Sequence, residues 1–482
     1  MSIRSALGYS FGTRYATLGL QFLSTIIIAR LLTPEDIGIY SVGAGVVMIA
    51  HALRDFGTSN YVIQEKELTR ERLSAAFTLT VLIAWTLALG LWLLSQPLAL
   101  FYKEPRVAEV MAVMAFNFML IPFGSVSMAL VRRAMDFRSV MWVGLASTVA
   151  QTGSAVFLAA TGHGFISLAW AAVCGTLATV VSSMIANPSG FFLKPSLAEI
   201  RHILKFSLRS SAASIASEAG HASPDLVLGR TVGMEGTGLF SRTMGYVQLF
   251  ERLLQDVLRS VMLPYLAGAE REGRDMRAQL IQVLDNVVSV SLFIIGLTAA
   301  LAQPAIVLLY GTQWEAVIPL AQLLCIAMIL RCTFPTLGAA LVARGQVGVL
   351  MNIQIIATAS KFALLIPTSY FGLTYGVIGF TAAEGLNLIL LLHYARRSQL
   401  FSWRDLLPIY IRNAPIAALG ILPSALIVQL QAPPEQPLAL LIYLSAAGLM
   451  SCGAWFAALM AFDRPPKQEL LSLFRVIKKK FA

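Results

Sequence analysis

The chain has 482 residues, of which 57% are hydrophobic and only 13% charged, and its formal net charge is +11. That balance excludes a water-soluble globular domain, which carries about 25% charged residues. It also excludes a nucleic-acid-binding module, because the basic residues gather on no water-facing domain.

A membrane span needs roughly 20 apolar residues in helical form. Apolar segments run at about 9–32, 37–53, 73–101, 107–131, 141–160 and 165–186. The first of them carries Arg14 and no small-residue cleavage site, so it reads as a first span and not as a removable signal. A more polar connection follows at 187–205, and six further segments begin near Phe206, Gly238, Val283, Ala316, Val349 and Gly376. Two last spans, at about 409–430 and 437–462, precede a basic tail. The expectation is an all-α integral membrane protein of about 14 helices. Its parts are a first lobe at 1–186, a cytoplasmic connection at 187–205, a second lobe at 206–400, two extra helices within 401–462, and a cytoplasmic tail at 463–482. Leu470, Leu471, Leu473, Phe474, Val476 and Ile477 give that tail the spacing of an interfacial amphipathic helix.

Lysine and arginine alternate between the two sides of the membrane. With Met1 in the cytoplasm, the inner loops hold 54–72, 132–138, 194–205, 271–277, 396–404 and Lys478 to Lys480, while the outer side keeps only Arg30, Lys103, Arg106 and Arg230. Basic loops stay inside, so both termini are expected in the cytoplasm and the protein in the inner, or plasma, membrane. A smaller share of that charge is expected to hold anionic lipid head groups. The four cysteines lie in apolar stretches without a C-x-x-C pair or histidines at metal-ligand spacing, which reads as packing and gives no metal site.

The chain also repeats itself. Arg30, Glu35, Gly38 and Ser41 recur as Arg230, Glu235, Gly238 and Ser241, an offset of 200. Gln96-Pro97 recurs as Gln303-Pro304, Ala129-Leu130-Val131 as Ala340-Leu341-Val342, and Gly162, Ala172 and Gly175 as Gly372, Ala382 and Gly385. Six spans per copy return the chain to its starting side, so the copies are parallel and related by an axis along the membrane normal, an arrangement that can enclose a cavity and rock around it.

Ionisable groups inside spans show what such a cavity would hold, since each costs roughly 2.5–3.5 kcal/mol at the bilayer centre. Arg14 and Gln21 share one face of the first span. Ser210, Ser214, Ser217, Glu218, His221 and Asp225 form a polar stripe on the seventh. Arg331 lies in the tenth, Gln354, Thr358 and Lys361 share a face of the eleventh, and Glu384 sits among alanine and glycine in the twelfth. Some of these could pair with one another as structural ties; as a set they point to a wet cavity. Arg54, Arg252 and Arg259 near the inner ends add a basic approach suited to phosphate, because the guanidinium fork donates two parallel hydrogen bonds. The chain has no phosphate-cradling lysine loop, and no nucleophile, base and orienter are grouped, so neither an ATPase nor another enzyme is expected.

These residues resemble polysaccharide exporters and oligosaccharide flippases of the MOP superfamily, similar to the colanic-acid and O-antigen group. The resemblance is carried by Ala29-Arg30-Leu31-Leu32 with Gly38 and Tyr40, Asp55-Phe56-Gly57 with 63–67, the stretch 129–137, Asp225 with Gly229-Arg230, Leu263-Pro264, Tyr310-Gly311-Thr312-Gln313-Trp314 and 318–325. It implies a V of two pseudo-symmetric six-helix lobes with two C-terminal helices, as in MATE transporters. The implied substrate is an undecaprenyl-pyrophosphate-linked oligosaccharide, flipped by alternating access for exopolysaccharide, O-antigen or capsule synthesis. Its pyrophosphate would meet Arg14, Arg54 and Arg259, with Gln21, Arg331 and Lys361 lining the cavity. Glu218, Asp225 and Glu384 are the candidates for coupling to a proton or sodium, and no other cofactor is implied. Expected partners are the lipid-linked oligosaccharide, membrane lipids, and the polymerase and chain-length or export machinery, with no nucleic acid. The rival readings are a cation-coupled multidrug antiporter of the same superfamily, which would present chiefly acidic cavity residues, and a membrane polymerase or ligase, which would need long outward loops.

Overall fold

The computed structural model describes residues 3–54, 61–63, 65, 67–190, 196 and 200–462, with side chains described except at 3–11, 13–15, 189, 200–214, 250–261, 263 and 264. Among the described residues the chain is built of α-helices with two short 3-10 turns and no strand. In chain order these helices are α1 (Ile3–Leu31), α2 (Pro34–Arg54), α3 (Arg70–Tyr102), α4 (Arg106–Arg133), α5 (Phe137–Ala160), α6 (Ile166–Ala186), α7 (Ile200–Thr231) and α8 (Met234–Arg271). They continue as α9 (Met276–Ala300), α10 (Ala302–Tyr310), α11 (Val317–Arg331), α12 (Phe334–Ala343), α13 (Val347–Ser369), α14 (Leu373–Arg397), α15 (Trp403–Leu430) and α16 (Pro437–Ala461). A bilayer suits them, because helices satisfy every backbone group within the segment. Eleven segments, α11 and α12 counted as one, are long and apolar enough to span a membrane, and α1 adds a shorter apolar stretch, Ala16–Leu31. The expected total of fourteen requires α1, α7 and α8 to cross as well.

Several boundaries follow from local chemistry. Thr69 caps α3 by accepting from the Arg72 amide, and the helix ends where Lys103 takes a left-handed φ of 57°. Asp136 closes one turn and opens the next. Its amide bonds to the Val131 carbonyl after left-handed Met135, while its carboxylate accepts from the Ser139 amide and hydroxyl at 3.2 and 2.6 Å to start α5. α7 begins at Ile200, inside the segment read from sequence as connection, which shortens that connection by a turn and a half. The tail at 463–482 lies outside the described residues.

The chain forms two compact units, Met1–Ser241 and Arg242–Ala482, and the division falls within α8. The first unit centres on buried Ile39, Val42, Val110, Met111 and Phe118, with a second cluster around Tyr61, Phe77 and Leu79. The second centres on Leu280, Leu284, Val288, Leu341 and Leu392. The repeat is visible in the packing: α5 lies on α6 as α13 lies on α14, and α4 on α6 as α11 on α14. Much large apolar surface remains exposed, including Leu100, Phe157, Ile185 and Leu449. A soluble protein does not expose so much, but lipid is its natural solvent here. α16 is the extreme case, with 17% of its apolar window buried. Cys325 and Cys332 are buried as expected of packing residues, whereas Cys452, on α16, is exposed and does not pack.

Candidate functional site

In the first unit the two copies of the repeat meet. A Cβ on Gly38 would lie 1.8 Å from the Met234 carbonyl oxygen, and one on Gly238 would lie 1.7 Å from that of Pro34; each would stand 3.0 Å from the other glycine's nitrogen. The contact is thus reciprocal and made of backbone, which only glycine permits. One turn on, Ser41 Oγ donates to Ser241 Oγ at 3.0 Å. Residues recognised as repeat partners therefore touch each other across the pseudo-symmetry they define.

α7 continues this packing against α2, with Gly45 facing Ala222 and Leu226, and Gly229 facing Val42 and Tyr102. That turns the Ala222, Ser223 and Gly229 face inward, where all three are buried, with the polar stripe along its border. His221 is exposed and its Nδ1 pairs with the Ser217 carbonyl at 2.8 Å; Glu218 is half-buried. Asp225 is also half-buried, but its Oδ1 is shielded from solvent and has no hydrogen-bond partner among the described residues. An uncompensated carboxylate oxygen in an apolar span is costly. Gln21 on α1 is exposed. Arg54 is half-buried at the C-terminal end of α2. The side chains of Arg14, Arg252 and Arg259, and those of Ser210 and Ser214, lie outside the described ones.

The second unit gathers three of the sequence candidates at one point. Glu384 of α14 is buried, with Lys361 Nζ of α13 at 2.9 Å and the guanidinium of Arg331, at the end of α11, at 3.8 Å from its Oε1. Lys361 also stands 5.6 Å above the Phe380 ring. One carboxylate thus faces two cations. Glu384 therefore stands as a counter-ion to side chains rather than as a vacant carboxylate.

Three arrangements went unseen in the sequence. Asp285 of α9 accepts from Asn413 Nδ2 of α15 at 2.7 Å, both buried, and Arg277 pairs with Asp405 at 2.6 Å. Both pairs are 128 residues apart, so α15 lies parallel to α9 in one register. The signal was there in Asp285-Asn286 within an apolar run and Asn413 in another, but nothing local joins them. Arg133 at the end of α4 donates to the carbonyls of Val62, Ile63 and Glu65 at 2.8, 3.3 and 2.5 Å. Two of the stretches that carry the resemblance, 63–67 and 129–137, are thus tied together. The densest stretch is also structural. Gly311, at φ 96°, turns the chain so that Trp314 is fully buried, and Arg242 stands 5.2 and 5.3 Å over the rings of Tyr310 and Trp314.

What the described geometry offers is a carboxylate with one unbonded oxygen in one unit and a carboxylate between two cations in the other, both inside apolar helices. Among the described residues no group of histidine, cysteine or carboxylate side chains is placed to hold a metal. Among known proteins, the succinoglycan biosynthesis transport protein ExoT of Rhizobium meliloti (strain 1021) is 28% identical over 333 residues, 67% of this chain. The match spans 65% of that relative's own length. The lipopolysaccharide biosynthesis protein WzxC of Escherichia coli (strain K12) is 24% identical over 384 residues, 77% of this chain and 76% of that protein. Among solved structures, the lipid II flippase MurJ in an inward closed conformation superposes with a TM-score of 0.74 at 12% identity, covering 95% of this chain and all of that one. An inward-facing multidrug resistance MATE family transporter of the MOP superfamily gives 0.62 at 15% identity over 79% and 94% of the two chains. At such identities the superpositions speak for the fold alone, which this chain shares with both transporters. The family model for polysaccharide biosynthesis proteins matches residues 27–319, more than half of the sequence, and the chain belongs to that family of multi-pass membrane proteins.

Proposed function

We propose that the protein is a flippase that carries an undecaprenyl-pyrophosphate-linked oligosaccharide from the cytoplasmic to the outer leaflet of the inner membrane, without covalent chemistry. The observation that carries this reading is the cluster in which Lys361 and Arg331 converge on buried Glu384 inside an apolar bundle, two cations of the kind that meet an anionic head group. The relatives named for succinoglycan transport and lipopolysaccharide synthesis support the substrate class. Arg54, together with Arg14 and Arg259, is assigned to the pyrophosphate, with Gln21 at the cavity wall and both termini in the cytoplasm. Two cations about one carboxylate disfavour a carrier of cationic drugs, and the short outer connections disfavour a polymerase or ligase. Both remain distinguishable by the following test.

A deletion strain is complemented with wild type, Arg14→Ala, Arg54→Ala, Arg259→Ala and Lys361→Ala, and lipid-linked oligosaccharide is followed on each side of the membrane. Precursor is expected to accumulate inside in the deletion and in the arginine variants at normal protein levels. Precursor that reaches the outer leaflet in the deletion but is not polymerised there makes the protein an enzyme or accessory factor instead.

Energy coupling is assigned to Asp225, whose Oδ1 has no hydrogen-bond partner among the described residues, with a proton as the ion. Glu218 is the secondary candidate. In vesicles, Asp225→Asn is expected to abolish the response of transport to an imposed proton gradient; a wild type that responds to sodium alone overturns the choice of ion.

A further inference from the structure

The cytoplasmic end of the second unit holds a cleft of about 430 Å³ lined by Arg277, Arg396, Gln399, Phe401, Ser402 and Asp405. We propose that this cleft is a binding site for the phosphate of an anionic membrane lipid, separate from the transport pathway.

The case rests first on charge. Both oxygens of Asp405 are already committed: Oδ1 accepts from Arg277 at 2.6 Å, and Oδ2 accepts from the Ser402 amide and hydroxyl at 2.9 and 3.0 Å. Arg396 pairs with no carboxylate among the described residues and is exposed at the cleft. The cleft therefore carries a guanidinium in search of an anion, beside a second guanidinium only partly used by Asp405. Arginine meets phosphate through two parallel charge-assisted hydrogen bonds, and the Gln399 amide can add a neutral donor.

The second argument is rigidity. Gln399 adopts a left-handed φ of 53°, and the Leu400 amide bonds back to the Ala395 carbonyl at 2.9 Å, which fixes the end of α14. Ser398 Oγ donates to Gln346 at 2.5 Å, and Arg344 donates to the Ser398 carbonyl. The capping box of Ser402 and Asp405 fixes the start of α15, and Phe401, 2% exposed, closes the floor. The loop that carries the donors is thus preformed, which lowers the cost of binding.

The third argument concerns depth and decides the source of the phosphate. Trp403, 47% exposed, opens a run of exposed apolar residues on α15 that continues through Leu407 and Ile411. An exposed tryptophan followed by lipid-facing leucine and isoleucine marks the head-group level of a membrane. The cleft opens at that level, where lipid phosphates are concentrated. Occupancy would tie α14 and α15, and so the last two helices, to α9.

The full-length protein is placed in nanodiscs of phosphatidylcholine with and without phosphatidylglycerol, and retained anionic lipid is read by native mass spectrometry. Arg396→Gln is expected to weaken phosphatidylglycerol retention about tenfold, from the loss of one charge-assisted pair. Arg397→Gln and Arg404→Gln remove the same charge beside the cleft without lining it, and are expected to leave retention within twofold of wild type. Arg396→Lys keeps the charge and serves where the glutamine variant does not fold; an intermediate loss is expected, because a lysine cannot present the fork. Equal losses in all three glutamine variants, or none in any, overturn the site. Detergent-solubilised protein with inorganic phosphate forms the last arm. Saturable binding of free phosphate that disappears in Arg396→Gln, with no preference for phosphatidylglycerol, makes the cleft a soluble-phosphate site and overturns the lipid assignment. None of these readouts involves transport, so the flippase proposal and this one fail independently.

Discussion

The two units build on copies of one repeat yet treat buried charge in opposite ways. In the first, Asp225 Oδ1 has no hydrogen-bond partner among the described residues; in the second, Glu384 lies between Lys361 and Arg331. A carboxylate without a counter-ion can lower its cost in an apolar span only by taking up a proton or another cation. One held by two cations is a fixed part of the structure. The helices differ in a parallel way. α3 runs unbroken from Arg70 to Tyr102 through Pro97, while its counterpart breaks at Leu301 into α9 and α10, with Pro304 just beyond the break. α4 is likewise continuous through Pro122, whereas its counterpart divides between α11 and α12, where Pro335 enters the first turn. Proline has no amide to donate and sits most easily in a first turn. At these two places the first copy absorbs its proline inside a helix, and the second ends one helix and starts another.

Lys361→Ala attacks the fixed half of this contrast and should have the largest effect. It leaves Glu384 with a single cation at 3.8 Å and should destabilise the protein by about 3–5 kcal/mol, read as a fall in thermal midpoint in detergent. The double variant Lys361→Met with Glu384→Gln should recover most of that loss, because no unpaired charge remains. Recovery failing there would mean that packing and not pairing sets the cost.

Next come Gly38→Ala and Gly238→Ala, each forcing a methyl into backbone already at van der Waals limits. Each should cost about 3 kcal/mol, and the pair together less than the sum, since one displaced contact relieves both. Strict additivity of the two would break the claim that they share one contact.

Asp225→Asn should change stability by less than about 1 kcal/mol, because among the described residues it breaks no ion pair. Its effect belongs to transport, and a large fall in thermal midpoint would contradict the contrast with Glu384.

The smallest effect is expected at a surface helix start. The Asp136 carboxyl is held below its usual range by hydrogen bonds from Ser139. A depressed folded value means that the cap stabilises fully above about pH 4 and loses its contribution as the pH falls through the lower, folded value. Asp136→Ala should cost about 1 kcal/mol at neutral pH and nothing in strong acid.

Much of this molecule was legible as text. Apolar segments of spanning length dictated an all-helical membrane protein, and ordered matches such as Gln96-Pro97 with Gln303-Pro304 exposed the duplication. Polar residues in apolar runs marked Asp225, Arg331, Lys361 and Glu384 as unusual, because their cost in lipid is a property of the residue and its immediate surroundings. Those signals are local, and a linear sequence carries them whole. Which charge meets which is not local. Lys361 and Arg331 converge on Glu384 from α13 and α11, Asp285 finds Asn413 across 128 residues, and Gly38 meets Gly238 across 200. Ion pairing, hydrogen bonding and steric contact act over a few ångströms between side chains and backbones whose neighbours are chosen by helix packing. Only the tertiary structure could decide that one carboxylate is held by two cations while the other forms no ion pair among the described residues.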